Sequence, residues 1–310
     1  MTELLYQRDV YGKTLVELGK VNPNIVVMDA DLSSSTRTSL FAKDFPKRFF
    51  NMGVAEQNMM AAAAGLASCG KQVFVSTFAI FATGRAWDQV RNSICYNNFN
   101  VKIVATHAGV SVGPDGSSHQ ALEDIALMQV IPNMNIIVPC DGPQTREALL
   151  AVAQSKGPCY IRLGRAKVPT LENKGEFKIG KAQVLTQGND VAIVACGTMV
   201  NESLAAVANL KAKGVKARLI NMHTIKPLDT DVLLDAARST KGIVVCEEHS
   251  TIGGLASSVD ALLAERHPTK ILSIGIKARF GQSGEPEELF KEYNITAGDI
   301  EKAAQAIVSG

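Results

Sequence analysis

The chain has 310 residues, 46% of them hydrophobic and 20% charged, with a formal net charge of +2. That balance suits a globular chain long enough for two domains, and with no basic run interleaved with aromatics it gives no prior for nucleic acid. No apolar stretch approaches the roughly 18 residues of a membrane span, and the charged amino terminus lacks an apolar signal core, so the expectation is a cytoplasmic protein with no membrane contact. The six cysteines form no CxxC pair and read as reduced core thiols. His223, His249 and His267 are scattered, and no metal site is expected.

A helical apolar pattern covers residues 10–20 and ends at Val21-Asn22-Pro23-Asn24. A buried strand over 25–28 runs into Asp29-Ala30-Asp31-Leu32 and the hydroxyl cluster Ser33-Ser34-Ser35-Thr36, which alone reads better as a helix cap than as a site. A strand-like segment over 48–53 precedes Val54-Ala55-Glu56 and an alanine-rich helix reaching residue 67, small and apolar enough to pack closely. Glu56 is the only acid between Asp44 and Asp88. Buried, it would need a partner; exposed, it would merely complement the helix dipole, and position alone does not separate the two. After a strand over 72–77, Phe78 and Phe81 share a helical face, as core or as a platform for a flat ring. A helix over 85–93 and a strand over 101–105 follow.

That strand leads into Thr106–Gln120, THAGVSVGPDGSSHQ, with a helix expected over 121–130. The loop holds two of the five histidines, His107 and His119, with Asp115 between them. Two imidazoles and a carboxylate on a glycine-rich loop beyond a strand's carboxyl end can bind a polyhydroxylated substrate and move its protons. A strand over 136–139, a helix over 142–154 and a strand over 159–165 complete a pattern that implies a parallel sheet covered by helices.

Residues 167–181 carry no clear pattern and read as a linker; the expected division is 1–168, a linker over 169–184, and 185–310. The second block alternates again, with strands over 191–195, 217–221, 242–246 and 271–276 and helices over 202–213, 229–237 and 255–265, making a smaller α/β domain. Gly253-Gly254 reads as packing or a turn, and no catalytic constellation is visible there. Neither half has a dinucleotide or P-loop motif.

Asp29-Ala30-Asp31-Leu32, Gly53-Val54-Ala55-Glu56-Gln57, Thr77-Phe78-x-x-Phe81, Thr106-His107 and Asp115-Gly116-x-x-His119-Gln120 occur in this order, and with them the whole chain resembles the carboxyl-terminal half of a transketolase. The resemblance implies a pyrimidine-binding domain followed by the family's third domain. It implies thiamine diphosphate as cofactor, with Glu56 on N1′ of the aminopyrimidine, Phe81 stacked on that ring with Phe78 beside it, and Asp31 near the cofactor. His107, Asp115 and His119 would line the donor sugar's path, His107 and His119 as catalytic groups with Glu56. Arg8, Ser35 and Arg165 would hold the sugar phosphate, since guanidinium groups donate in pairs to phosphate oxygens. Gly84 departs from the family by standing where many members put a third aromatic.

The chain also lacks the family's GDG motif with a downstream Asn, so the resemblance implies an N-terminal partner subunit that holds Mg²⁺ and the diphosphate, and an α2β2 assembly. The apolar run 59–67 is a candidate subunit contact, though packing inside its own domain explains it equally well. Other readings are the beta subunit of a 2-oxo acid dehydrogenase, a deoxyxylulose-phosphate synthase-like fragment and a non-catalytic partner. His107, Asp115 and the arginines favour a phosphosugar over a 2-oxo acid. Thr106-His107 disfavours the synthase, and the presence of Glu56 with both loop histidines disfavours an inert chain.

Overall fold

The computed structural model describes residues 3–172 and 175–310. Strands β1 (Leu4–Tyr6), β2 (Ile25–Asp29), β3 (Phe49–Asn51), β4 (Gln72–Ser76), β5 (Val101–Ala105), β6 (Asn135–Ile137), β7 (Cys159–Arg162) and β8 (Lys167–Pro169) lie in the first part. Strands β9 (Gln183–Thr186), β10 (Val191–Ala195), β11 (Ala217–Asn221), β12 (Thr224–Lys226), β13 (Ile243–Ser250) and β14 (Ile271–Ile276) lie in the second. Seven of them form one sheet in the order β12-β6-β7-β5-β4-β2-β3, and five form another in the order β14-β13-β10-β11-β9. Each sheet is parallel except for one antiparallel edge strand, β12 in the first and β9 in the second. The central strands β2, β4, β5 and β10 are buried at every residue, as continuous apolar runs must be when helices cover both faces.

On one face of the first sheet, helices Gln7–Val21 and Gly142–Gln154 close a core around Tyr11, Leu15, Phe41, Phe74 and Leu149. On the other, helix Glu56–Ser68 buries Met59, Met60, Ala63 and Ala64 in a core that continues into Met222, Leu233, Leu255 and Val259 of the second domain. The two domains therefore share apolar packing. Of the run considered as a subunit contact, Met59, Met60, Ala63, Ala64 and Ala67 are buried in the chain itself, while Ala61 and Gly65 are exposed.

Several local expectations change. Residues 167–181 are not a free tether: β8 pairs with β1, and β9, which opens the second sheet, starts within the stretch 169–184. Their polar composition hides short edge pairing, because an edge strand needs no apolar alternation. The helix expected over 85–93 is replaced by two π-helical segments, Phe81–Arg85 and Gln89–Cys95. The helix over 121–130 shrinks to Asp124–Gln129. The strand over 242–246 runs on as β13 through Glu247, Glu248 and His249, charged residues that an apolar pattern cannot recruit. β12, from the second domain, extends the first domain's sheet, and its Lys226 Nζ donates to the carbonyls of Gln129 (2.8 Å) and Ile131 (2.7 Å). Five cysteines are buried; Cys69 is exposed, because the helix that precedes it ends at the surface.

Candidate active site

Parallel strands turn all their carboxyl ends to one edge, where loops can converge on a ligand. In the first sheet this edge carries Asp31 after β2, Glu56 beyond β3, Phe78 and Phe81 after β4, His107 after β5 and Arg165 after β7.

Glu56 opens its helix and is 1% exposed. The partner that burial demands is Arg85, whose Nη1 donates to both carboxylate oxygens at 3.0 and 2.8 Å. The Arg85 guanidinium also lies 4.6 Å from the Phe81 ring centroid. A flat cationic donor thus sits on an aromatic face and on a buried acceptor at once. Pattern reasoning missed Arg85 because the residue was absorbed into an ordinary helix. The π-helical turn Phe81–Arg85 has wider spacing than an α-helix and is a frequent mark of functional sites.

Phe78 stacks on His107, ring centroids 3.8 Å apart and planes at 23°. Phe78 and Phe81 are 6.0 Å apart at 19°, and His119 meets Phe81 edge-on at 5.4 Å. Glu56, Phe81, Phe78, His107 and His119 therefore form one chain of contacts through Arg85. His107 has a φ of +60°, a strained conformation for a residue with a Cβ. It is held by stacking, by a Thr106 Oγ1 to His107 Nδ1 contact of 2.8 Å, and by donation from the following amide, Ala108 N, to Leu163 O. Burial first, then the charges of Arg8 and Arg165 and the nearby His119, push the His107 imidazole down to about 3. It is a neutral hydrogen-bonding group at working pH.

The arginines reach the same place from the other side. Gln7 ties the start of its helix to the exits of β6 and β7: its Nε2 donates to Pro139 O at 2.8 Å and its Oε1 accepts from Gly164 N at 3.0 Å. This sets Arg8 near Arg165. Burial, and then repulsion by Arg37, lower the Arg8 guanidinium from its ordinary value, and its Nε is buried with no partner among the described residues. Arg8 Nη1 donates to Ser35 O at 3.3 Å, and Arg165 Nη1 to Val112 O at 2.9 Å. Crowded guanidinium groups with a spare donor suit a multiply charged anion.

Three expected site residues stand apart from the aromatic chain. Asp31 is exposed, with a φ of +65°, and accepts from Asn51 Nδ2 at 2.8 Å; no described contact joins it to Glu56 or either phenylalanine. Its neighbour Asp29 is structural: it accepts from Leu32 N, Thr36 Oγ1 and Thr38 Oγ1, which shapes the loop carrying Ser35. Asp115 is exposed, at the end of the short helix Val110–Asp115. Ser35 touches Arg8 through its backbone carbonyl.

His249, which reads as scattered in sequence, is buried beside Asp124 of the first domain, Nε2 3.9 Å from Oδ1. Arg162 Nε and Tyr160 OH both donate to Asp124 Oδ2 at 2.7 Å. Burial opposes charge on Asp124, but Arg162 and His249 outweigh it and keep the carboxyl low. Glu247 accepts from the amides of Leu255 and Ala256, so Gly254 serves packing. This buried network joins the domains and offers no open reacting position. Among the described residues, no group of three or more His, Cys, Asp or Glu side chains could hold a metal ion, and no helix is long and apolar enough to cross a membrane.

Two family models match the chain: the transketolase pyrimidine-binding domain over residues 5–170 and the transketolase C-terminal domain over residues 180–300. A protein of Methanocaldococcus jannaschii, whose provisional name is transketolase C-terminal section, is 48% identical over 95% of this chain and 94% of its own. An apulose-4-phosphate transketolase subunit of Phocaeicola vulgatus is 38% identical over 97% of each chain. Human transketolase is 36% identical over 97% of this chain but only 49% of its own length. Among solved structures, a split-gene transketolase described as an inactive beta4 tetramer superposes with a TM-score of 0.91 at 50% identity, covering 98% of this chain and 99% of that one. With both of its domains matched and relatives of this identity along nearly its whole length, the chain belongs to the transketolase family, as a counterpart of its C-terminal section.

Proposed function

We propose that this chain is the beta-type subunit of a two-chain, thiamine-diphosphate-dependent transketolase of the cytoplasm. It transfers a two-carbon ketol unit from a ketose phosphate to an aldose phosphate. The observation that carries the reading is the buried Glu56 carboxylate beside the Phe78–Phe81–His107 stack, with Arg8 and Arg165 close enough to shift His107. The residues fit an aminopyrimidine, because in Arg85 a flat nitrogen donor already lies on Phe81 and reaches Glu56. When bound, the cofactor supplies the electron sink for breaking the bond next to a ketose carbonyl.

The rest is work for this chain's own side chains. Arg85 yields Glu56, whose carboxylate then holds and exchanges a proton at N1′ of the ring. Phe81 and Phe78 fix the ring plane. Neutral His107, and His119 edge-on to Phe81, exchange hydrogen bonds and protons with the donor's hydroxyl and carbonyl oxygens. Asp115 takes a hydroxyl of the donor, Arg8 and Arg165 with Ser35 take its phosphate, and Asp31 borders the cofactor. The diphosphate and Mg²⁺ fall to an N-terminal partner subunit, in line with relatives named as transketolase subunits. Ala61 and Gly65, exposed on the helix that Glu56 opens, are the proposed self-contact of an α2β2 assembly.

The test is reconstitution. The chain with a partner subunit, thiamine diphosphate and Mg²⁺ should move a ketol unit between sugar phosphates, and the chain alone should not. Turnover by the isolated chain, or decarboxylation of a 2-oxo acid in place of ketol transfer, would sink the reading.

A further inference from the structure

The second domain supplies none of the site residues above, yet it grips the loop that carries Asp115 and His119. Glu248, at the end of β13, is 2% exposed. Its Oε1 accepts from Ser111 N at 2.5 Å and its Oε2 from Thr198 Oγ1 at 2.7 Å. Arg162 does not neutralise it by direct contact, since Arg162 Nη2 donates instead to the Glu248 backbone carbonyl at 3.0 Å. Burial holds the Glu248 carboxyl above the usual carboxylate range. A buried acid without a contacting cation is a poor way to add stability, because an apolar side chain avoids the desolvation cost. Gly109, with a φ of +82°, lets the carboxylate in: a Cβ there would overlap Glu248 Oε1.

A second grip lies nine residues beyond Ser111. Gln120 Nε2 donates to Val110 O at 3.1 Å and to Gln282 O at 2.9 Å, tying both ends of the loop to the second domain's segment 281–284. Gly116 packs so closely on that segment that a Cβ would come within 2.6 Å of Ser283 Oγ. Arg165 completes the support through Val112 O.

We infer that Glu248 is a positioning residue: from the second domain it fixes the backbone of residues 109–116 and so sets where Asp115 and His119 meet the sugar. Only the substrate half of this inference rests on the transketolase reading; the loop half does not. The test compares Glu248→Ala, Glu248→Asp and Glu248→Gln by hydrogen exchange of the full chain and by kinetics of the complex with its partner subunit. In Glu248→Ala, amides 109–116 should exchange at least tenfold faster while those of β2, β4 and β5 stay protected. KM for the ketose phosphate should rise about tenfold, with kcat and thiamine diphosphate affinity within about twofold of wild type. Glu248→Gln keeps an acceptor for Ser111 and should restore both. Glu248→Asp keeps the charge but draws it back by one methylene, so it should loosen the same amides even if Glu248→Ala fails to fold. Unchanged loop exchange in Glu248→Asp, or Glu248→Gln no better than Glu248→Ala, overturns the proposal. Absence of ketol transfer in the wild-type complex would remove the transketolase reading and leave the exchange result standing on its own.

Discussion

The two sheets are built alike and finish differently. At the carboxyl edge of the first, Phe81, His119, Arg165 and Arg8 keep partial exposure, and Arg8 Nε has no partner among the described residues. At the carboxyl end of β13 in the second, Glu247, Glu248 and His249 are buried and spend their hydrogen bonds on helix amides, Ser111, Thr198 and Ser250. One edge of the same architecture keeps polar and aromatic side chains partly exposed, while at the other the polar side chains are buried and bonded within the fold, partly to the neighbouring domain. Charged residues at strand ends therefore do not by themselves mark an active site; what matters is whether their bonding capacity is used up within the fold.

The largest expected effect is at the partly exposed edge. Glu56→Gln should lower ketol transfer of the reconstituted enzyme by about 10²–10⁴-fold, the usual contribution of a proton-transferring group. Its melting temperature should stay near wild type, because a Gln amide oxygen can still accept from Arg85. Near-normal turnover would remove Glu56 from the site and erase the contrast between the edges. The buried edge answers with stability instead. Arg162→Met strips a buried cation from Asp124 and should cost about 3–5 kcal/mol in urea unfolding, since an uncompensated buried charge remains. A loss below about 1 kcal/mol, the range of an exposed ion pair, would mean that Asp124 does not depend on Arg162.

A smaller effect sharpens the ligand class. Losing one charge-assisted contact costs about 1.5–3 kcal/mol, so Arg165→Ala should raise KM for a phosphorylated ketose by roughly 10–150-fold. Equal losses with an unphosphorylated ketose would show that Arg165 acts only through Val112 O. The smallest effect is in pH dependence. His107, held down to about 3 in the fold, takes up a proton near 6.5 when unfolded, so its share of stability is present above about 6.5 and is lost as pH falls toward 3. Its ring resonances in NMR should stay flat from pH 8 to pH 5, and His107→Gln should lessen the drop in melting temperature over that range. A titration of His107 near pH 6.5 would show that the Phe78 stack opens in solution.

The alternation of strands and helices and the loop that carries His107 and His119 were legible in the sequence, because apolar periodicity and strand-end loops are local features; Glu56, Phe78 and Phe81 were singled out only through the family resemblance, since position alone left each open to a purely structural reading. The need of a buried Glu56 for a partner was legible too, though not that partner's name. Arg85 lies 29 positions away and reaches Glu56 through a π-helical turn that no 3.6-residue pattern announces. Only the tertiary structure decided that Asp29 shapes its own loop, that β12 joins the other domain's sheet, and that Glu248 crosses 137 positions to hold Ser111. Local patterning tells which face of an element is apolar. Whether a charge on it ends up solvated, reactive or consumed depends on what the topology brings against it, and hydrogen bonds between residues so far apart leave no periodic trace in the chain.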